Sequence, residues 1–260
     1  MKILFIGPNK QSSKHKLICL KKIYKNVDSI DGHKAFKLNN VSERIFWHIS
    51  SKIFEKQINN YFIKKIKKKY DLIFVDSGEF VGKKLILELK KKTKKIVFYC
   101  NDNPFVNRDK QRWKLSLGAL KYYDLVVFHN KSRIKPSKKF GVKHSLLVLP
   151  SYQKQVHSPK IKFNKIRKYN NDIIFIGTWE PERGVFFKKL IQLGIKIKIY
   201  GIKWNKDPYF NFLKSHIILG HVNDPKYSNL IFNSKIAICL PSVGNNDDIT
   251  KKSIEIPAIG

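Results

Sequence analysis

Met1-Lys-Ile-Leu-Phe-Ile-Gly7 opens the chain, and Asp172-Ile-Ile-Phe-Ile-Gly-Thr-Trp-Glu-Pro-Glu-Arg183 follows past its middle. Each is a short apolar run that halts at a glycine and then leads into a helical pattern. A strand covered on both faces reads as a continuous apolar run, and glycine lets the chain turn tightly into the next helix. Both stretches therefore have the form of a first βα turn in a nucleotide-binding parallel sheet. Two such openings predict an α/β chain of two Rossmann-like domains, with the ligand in the crevice that the domains face.

Working outward through the first half, a helix is expected over 13–24, with Leu17, Ile18, Leu20 and Ile23 on its buried side, then a weak strand near 27–30. Ile45, Phe46, Ile49, Ile53, Phe54, Ile58, Phe62 and Ile66 recur at helical spacing and predict one long amphipathic helix over 41–69. Apolar runs at 72–75, 96–99 and 125–128, separated by helical patterns at 82–92 and 109–122, read as βαβ units. A last run, 145–149, ends at Pro150.

Residues 151–171 are polar and irregular, so the expected domains are 1–150 and 172–260 with 151–171 as linker. The second half repeats the theme. Strands are expected at 173–176, 196–200, 217–219 and 236–240, and helices at 181–193, 225–233 and from Thr250 to Ile256. Pro181 suits a first helical turn, where its missing N–H has no partner to lose. The pattern of such a sheet calls for a further strand and helices, so the second domain is expected to be incomplete.

At 260 residues and 42% hydrophobic, the chain has enough apolar side chain for packed cores. Its formal charge of +34 predicts a field that attracts phosphates, nucleic acid or anionic lipid. Lysine here travels with isoleucine and asparagine, however, and A/T-rich codons explain the same excess, so charge alone assigns no partner. Cys19, Cys100 and Cys239 stand singly, without a Cys-x-x-Cys pair or zinc-type histidine spacing, and read as reduced core thiols. No apolar run approaches the roughly 20 residues that span a bilayer. Gly7-Pro8 ends the opening run too early for a signal peptide, so a cytoplasmic location is expected. The further glycines of a dinucleotide fingerprint and the Gly-Lys-Ser/Thr phosphate loop are both lacking, which argues against NAD enzymes and P-loop kinases. Asp247 and Asp248 are adjacent, point in alternate directions and lack a third ligand nearby, so no metal site is expected.

The segments Ile174-Phe-Ile-Gly-Thr-Trp-Glu-Pro-Glu-Arg183, Ile199-Tyr-Gly-Ile-Lys-Trp204, 227–240 and, above all, Asp248-Ile-Thr-Lys-Lys-Ser-Ile-Glu-Ile-Pro-Ala-Ile-Gly260 resemble the CgeB-type, spore-coat-related glycosyltransferase-like proteins. The resemblance covers most of the chain and is specific mainly in the second half. It implies GT-B architecture, two facing Rossmann-like domains with the nucleotide-sugar donor held mostly in the C-terminal one, and no metal or other cofactor. Two departures stand out. Lys252 occupies the place where the family usually has arginine, and the family pattern continues past Gly260.

Transfer from such a donor leaves a nucleoside diphosphate on which negative charge grows. Without a metal, cationic side chains, amide N–H groups and a helix terminus must answer it. Arg183, just past the glycine turn, suits a two-pronged grip on the diphosphate, and Lys252 supplies a second, point-like charge. The competing reading of each is one more surface cation. Gly177 and Thr178 bring backbone close to the phosphates, or simply make a turn. Glu255 lies in an otherwise apolar segment, where a carboxylate needs partners. The resemblance implies that it accepts hydrogen bonds from the donor ribose; the alternative is a first-turn carboxylate favoured by the helix dipole. Thr250 is placed to cap that helix, with Ser253 three residues on.

Acceptor-side residues must lie at the carboxyl ends of first-domain strands. Asp102 is the first candidate for a catalytic base, followed by Glu79 and His129, with Asp76, Asn101 and Asn130 beside them. Loop caps are the competing reading for each. Trp179 and Trp204 are candidates to stack on a base or sugar, or to pack in the core. The expected function is thus sugar transfer from a nucleotide-diphosphate donor to a saccharide, lipid or protein hydroxyl. Lysine clusters at 64–65 and 67–69 would dock the chain peripherally on an anionic inner membrane face. A basic nucleic-acid-binding protein and an inactive, truncated copy of the enzyme are the rival readings.

Overall fold

Five-residue β1, Lys2–Ile6, sets the pattern of the first sheet: Ile3, Leu4, Phe5 and Ile6 are each 3% exposed or less, as in a strand covered on both faces. The computed structural model describes residues 1–9, 11–36, 48–158 and 169–260. Around β1 lie β2 (Asn26–Ile30), β3 (Tyr70–Asp76), β4 (Thr93–Cys100), β5 (Leu125–Phe128) and β6 (Ser145–Leu147), in the order β2-β1-β3-β4-β5-β6, every pair parallel. Helices Gln11–Ile23, Glu55–Lys65 and Lys83–Lys90 connect these strands. The core centres on Ile58, Phe62, Ile73, Leu85, Ile86, Phe98 and Phe128.

A second sheet, ordered β10-β7-β8-β9, is again wholly parallel: β7 Asn171–Ile176, β8 Ile197–Gly201, β9 Ile217–Leu219 and β10 Ser234–Ile238. Helix Pro181–Gln192 buries Phe187 beside Phe175, Ile199 and Trp204. Helices Asp224–Phe232 and Lys252–Ile259 bury Tyr227, Ile231 and Ile259 with Ile174 and Ile176. Two compact units result, residues 1–149 with 245–248, and residues 150–244 with 249–260.

Several expected elements differ. The long helix over 41–69 is not continuous: residues 41–47 lie outside the described residues, Ser50 takes φ 95°, and a 3-10 turn, Ser51–Phe54, precedes Glu55–Lys65. The helix over 109–122 is broken into Asn107–Asp109, Lys114–Leu117 and Leu120–Tyr122, because Lys110 adopts φ 51° and the Trp113 indole N–H is drawn to Asp109 at 2.9 Å. Ile23 is 70% exposed, so the first helix does not bury it. Within 151–171, residues Lys154–His157 form a helical turn and 159–168 lie outside the described residues. Of the three free thiols only Cys100 is a core residue; Cys19 is exposed and Cys239 half-buried.

Candidate functional site

Strand order locates the crevice of each sheet. Where the order reverses, the chain leaves neighbouring strands in opposite directions, and the diverging loops open a hollow beyond the carboxyl ends. In the second sheet the reversal lies between β7 and β10; in the first it lies between β1 and β3.

At the end of β7, the Gly177 N–H donates to the Tyr200 carbonyl at 2.8 Å, and Trp204 Nε1 donates to the Gly177 carbonyl at 2.9 Å. A Cβ on Gly201 would lie 1.9 Å from that same carbonyl, so only glycine permits this approach. Trp204 is wholly buried and Trp179 donates to Asp207 at 2.7 Å. Trp204 is thus a core indole that holds the turn together, and the half-buried Trp179 is tied to the same turn through Asp207.

Arg183 reaches from the first turn of its helix into the β7/β10 crevice and is 5% exposed. It donates to the Thr178 carbonyl after β7, and its Nη2 donates to the Leu240 and Pro241 carbonyls after β10, at 3.3 Å each. Glu180 lies 3.2 Å from the same nitrogen, while Nε has no partner among the described residues. Burial pulls this guanidinium below its ordinary value despite Glu180. Lys252 enters from the other side and donates to the Ile176 carbonyl. Its ammonium is held below the ordinary lysine range, first by burial and then by the charge of Arg183. The two cations lie 5.4 and 5.9 Å from the centre of one ring, Phe175.

Glu255 follows in the same helical turn as Lys252. Its carboxylate lies 3.9 Å from His157 Nε2 and beside Tyr227, whose hydroxyl is pushed up by burial and then by Glu255. Thr250 does not cap the helix as expected. The Ser253 hydroxyl instead accepts from the Thr250 N–H at 3.2 Å, and Cys239 Sγ lies 3.5 Å from Thr250 Oγ1. Gly177, Thr178, Arg183 and Lys252 thus meet at one crevice, with Glu255 and Thr250 on its α-helical border. A separate hollow, lined by Asn171, Lys198, Tyr200, Lys226 and Asn233, lies toward the amino ends of the strands, away from these turns.

In the first unit, Glu79 is buried between two cations, His33 Nε2 at 3.0 Å and Arg112. Burial opposes its charge, but Arg112 and His33 outweigh it and hold Glu79 down to about 2. His33 gives its other nitrogen to Asp31 at 3.0 Å; against burial, these two carboxylates raise it to about 9. Such a carboxylate is an anchor and a poor proton acceptor near neutrality. His129 is 5% exposed, with Nδ1 3.3 Å from Arg133 Nη1. Because a guanidinium only donates, Nδ1 is the lone-pair nitrogen. Asp102 has 31% of its side chain exposed and faces Arg108 at 3.1 Å and Arg112 at 3.9 Å, which leaves it open to an incoming hydroxyl. Asp76 is closed off by Lys16 at 2.9 Å and by Ser13.

Arg133, fully buried, donates to the Asn101 carbonyl at 2.8 Å and pairs with Asp247 at 2.6 Å. Sequence reasoning passed over His33, Arg108, Arg112 and Arg133. A signal was present: in a chain with six arginines among 53 basic residues, an arginine marks a place where lysine will not serve. Among the described residues, no group of three or more His, Cys, Asp and Glu is placed to hold a metal ion, and no helix is long and apolar enough to cross a membrane.

Solved structures share this fold. OtsA in its apo state superposes with a TM-score of 0.60 at 10% identity, over 100% of this chain and 82% of that one. A UDP-forming α,α-trehalose-phosphate synthase from Burkholderia xenovorans gives 0.57 at 10%, over 91% and 77%. UDP-N-acetylglucosamine 2-epimerase from Rickettsia bellii gives 0.51 at 10%, over 91% and 73%. The chain has the parallel-sheet α/β fold of the GT-B glycosyltransferases. No protein-family model matches it and no curated protein matches it in sequence, so the CgeB-type resemblance rests on the quoted residues alone.

Proposed function

We propose that the chain is a glycosyltransferase that binds a nucleoside-diphosphate sugar at the β7/β10 crevice and transfers the sugar to a hydroxyl without a metal. One observation carries this reading: Arg183 and Lys252 both lie against the Phe175 ring at the strand-order reversal, 5.4 and 5.9 Å from its centre, each held below its ordinary value by burial. Like charges out of water are costly, and an anion between them relieves the cost. A diphosphate supplies that charge, and its growing negative charge during transfer strengthens the same contacts, as catalysis requires.

Lys252 is the direct phosphate contact in this reading. Arg183 already holds three carbonyls and acts chiefly as the brace that fixes the two loops, with the Gly177 and Thr178 backbone facing the phosphates. Glu255 takes the ribose hydroxyls, and Asp102 is the base for the acceptor. Two of the structural neighbours are named for UDP or a UDP sugar, which makes UDP the first nucleotide to try. Epimerisation of a bound nucleotide sugar is the second reading, favoured by the likeness to the epimerase.

Calorimetric titration with UDP, GDP, ADP and dTDP tests the proposal. Binding of one of them, weakened at least about tenfold (~1.4 kcal/mol) in Lys252→Ala and in Glu255→Ala with the fold intact, supports it. No heat with any nucleotide overturns it. With a binding nucleotide in hand, product analysis separates transfer from epimerisation.

A further inference from the structure

The amino-terminal edge of the first sheet, opposite its candidate catalytic residues, is a second surface of distinct character. Lys67, Lys68 and Lys69 lead directly into β3, and Lys90, Lys91 and Lys92 lead into β4. These strand starts are paired, Tyr70 with Thr93, and the Tyr70 N–H donates to the Lys92 carbonyl at 2.8 Å. The two lysine triplets therefore stand side by side. Next along the row, the Lys2 N–H donates to Asp71 at 2.7 Å, which sets Met1 beside the start of β3, and β1 pairs with β2 from Lys2 and Asn26 onward. Ile23 closes the helix just before β2. Met1 is 55% and Ile23 70% exposed. Neighbouring strands lie roughly 4.8 Å apart, so four strand starts present a basic row about 15 Å long with two bare apolar side chains at one end.

The opposite edge is built differently. There Arg108, Arg112, Arg133, Lys16 and His33 each face a carboxylate. At the amino edge Lys91 pairs with Glu88 at 2.7 Å, while Lys90 and Lys68 lie farther from their acids, Asp124 at 3.4 Å and Asp28 at 3.6 Å; all three lysines are well exposed. The six lysines of the two triplets still outnumber the four acids at this edge, Asp28, Asp71, Glu88 and Asp124.

We propose that this edge docks the chain on an anionic lipid surface. Lysines on flexible stems suit a plane of headgroups, each adding attraction within a Debye length, and Met1 and Ile23 suit shallow burial among acyl chains. Among the described residues a nucleic-acid strand would find little aromatic surface here to stack on: Tyr70 is buried and donates to Asp28 at 2.8 Å, and Tyr24 beside Ile23 is half-buried. β3 is seven residues long at about 3.3 Å per residue, so the carboxyl edge then stands roughly 20 Å off the docked edge. Resting on the proposed sugar transfer, this implies an acceptor hydroxyl that projects well clear of the headgroups, as on an extended saccharide.

The test is co-sedimentation with phosphatidylcholine vesicles made with and without phosphatidylglycerol, beside filter binding to duplex DNA. The full chain carrying Lys67→Glu, Lys68→Glu and Lys69→Glu is compared with one carrying the same charge change in the second unit, Lys206→Glu, Lys214→Glu and Lys226→Glu. Vesicle binding that needs phosphatidylglycerol, falls about tenfold or more in the first variant, persists in the second and weakens in Ile23→Ser is the expected result. Equal loss in both charge variants, no loss in the first, or a loss confined to DNA overturns the proposal. All these substitutions are at exposed side chains, and Lys→Gln at the same positions repeats the comparison if a reversal impairs folding. Vesicle binding is read without nucleotide, so its failure is separate from failure of the sugar-transfer reading.

Discussion

Gly184 offers a test of how the β7 turn is held. It lies in the first turns of helix Pro181–Gln192, where replacing glycine by alanine ordinarily stabilises by about 1 kcal/mol. Here a Cβ would lie 1.8 Å from Asp207 Oδ2. Asp207 is 5% exposed and accepts from Trp179 Nε1 at 2.7 Å and from the Tyr209 N–H at 2.8 Å. To admit the methyl group the carboxylate must retreat and give up both bonds, each worth roughly 1.5–3 kcal/mol with a charged acceptor. Gly184→Ala is therefore expected to lose about 2–5 kcal/mol net, read as a lowered urea midpoint at unchanged slope. In an Asp207→Ala background the obstruction is gone, and the same substitution should raise stability by up to about 1 kcal/mol. A Gly184→Ala protein more stable than the parent, or an equal loss in both backgrounds, would refute the reasoning.

Other expectations follow from the first unit. His33 is raised from 6.5 to about 9, so its contribution is complete below 6.5 and is lost as pH rises through 9; Glu79, lowered from 4.5 to about 2, contributes fully above 4.5 and loses its share as pH falls through 2. Thermal unfolding should show a plateau between pH 4.5 and 6.5, and His33→Gln should flatten the alkaline limb. Arg133→Met should cost about 3–5 kcal/mol by stranding the buried Asp247 carboxylate, whereas the double variant Arg133→Met with Asp247→Leu recovers most of it in denaturant titrations. Glu79→Gln should lower the unfolding temperature before it affects any transfer rate, while Asp102→Asn, at a half-exposed group, should do the opposite in a paired stability and activity assay.

The two sheets were legible because buried parallel strands write themselves as apolar runs, as in Ile3–Ile6 and Ile173–Ile176. Where shape depended on single backbone exceptions, periodicity misled. Ser50 and Lys110 take positive φ without being glycine, and each interrupts a helix that spacing alone extends. Gly177 and Arg183 stand out by position after a strand and at a helix start, and Lys252 by the family resemblance; the structure sets all three by the β7/β10 reversal. The roles of Glu79 and His33 were not, since a residue 46 positions away along the chain (33 to 79) decides whether that carboxylate is a base or an anchor. Thr250 and Ser253 show the same limit: the spacing of a capping pair was present, but the exchange runs from the threonine backbone to the serine hydroxyl.

The helix Lys252–Ile259 spans only eight residues and contains Pro257, whose ring nitrogen has no hydrogen to offer the Ser253 carbonyl. A segment that brief does not persist in water on its own account. It is kept in place from its far end, where Ile259, 1% exposed, is seated among Ile174, Ile176 and Tyr227. The aim of the Lys252 amine and the Glu255 carboxylate is thus governed by a greasy peg up to two turns away, so trimming that single isoleucine should weaken the proposed nucleotide binding while leaving every polar group of the crevice in the sequence.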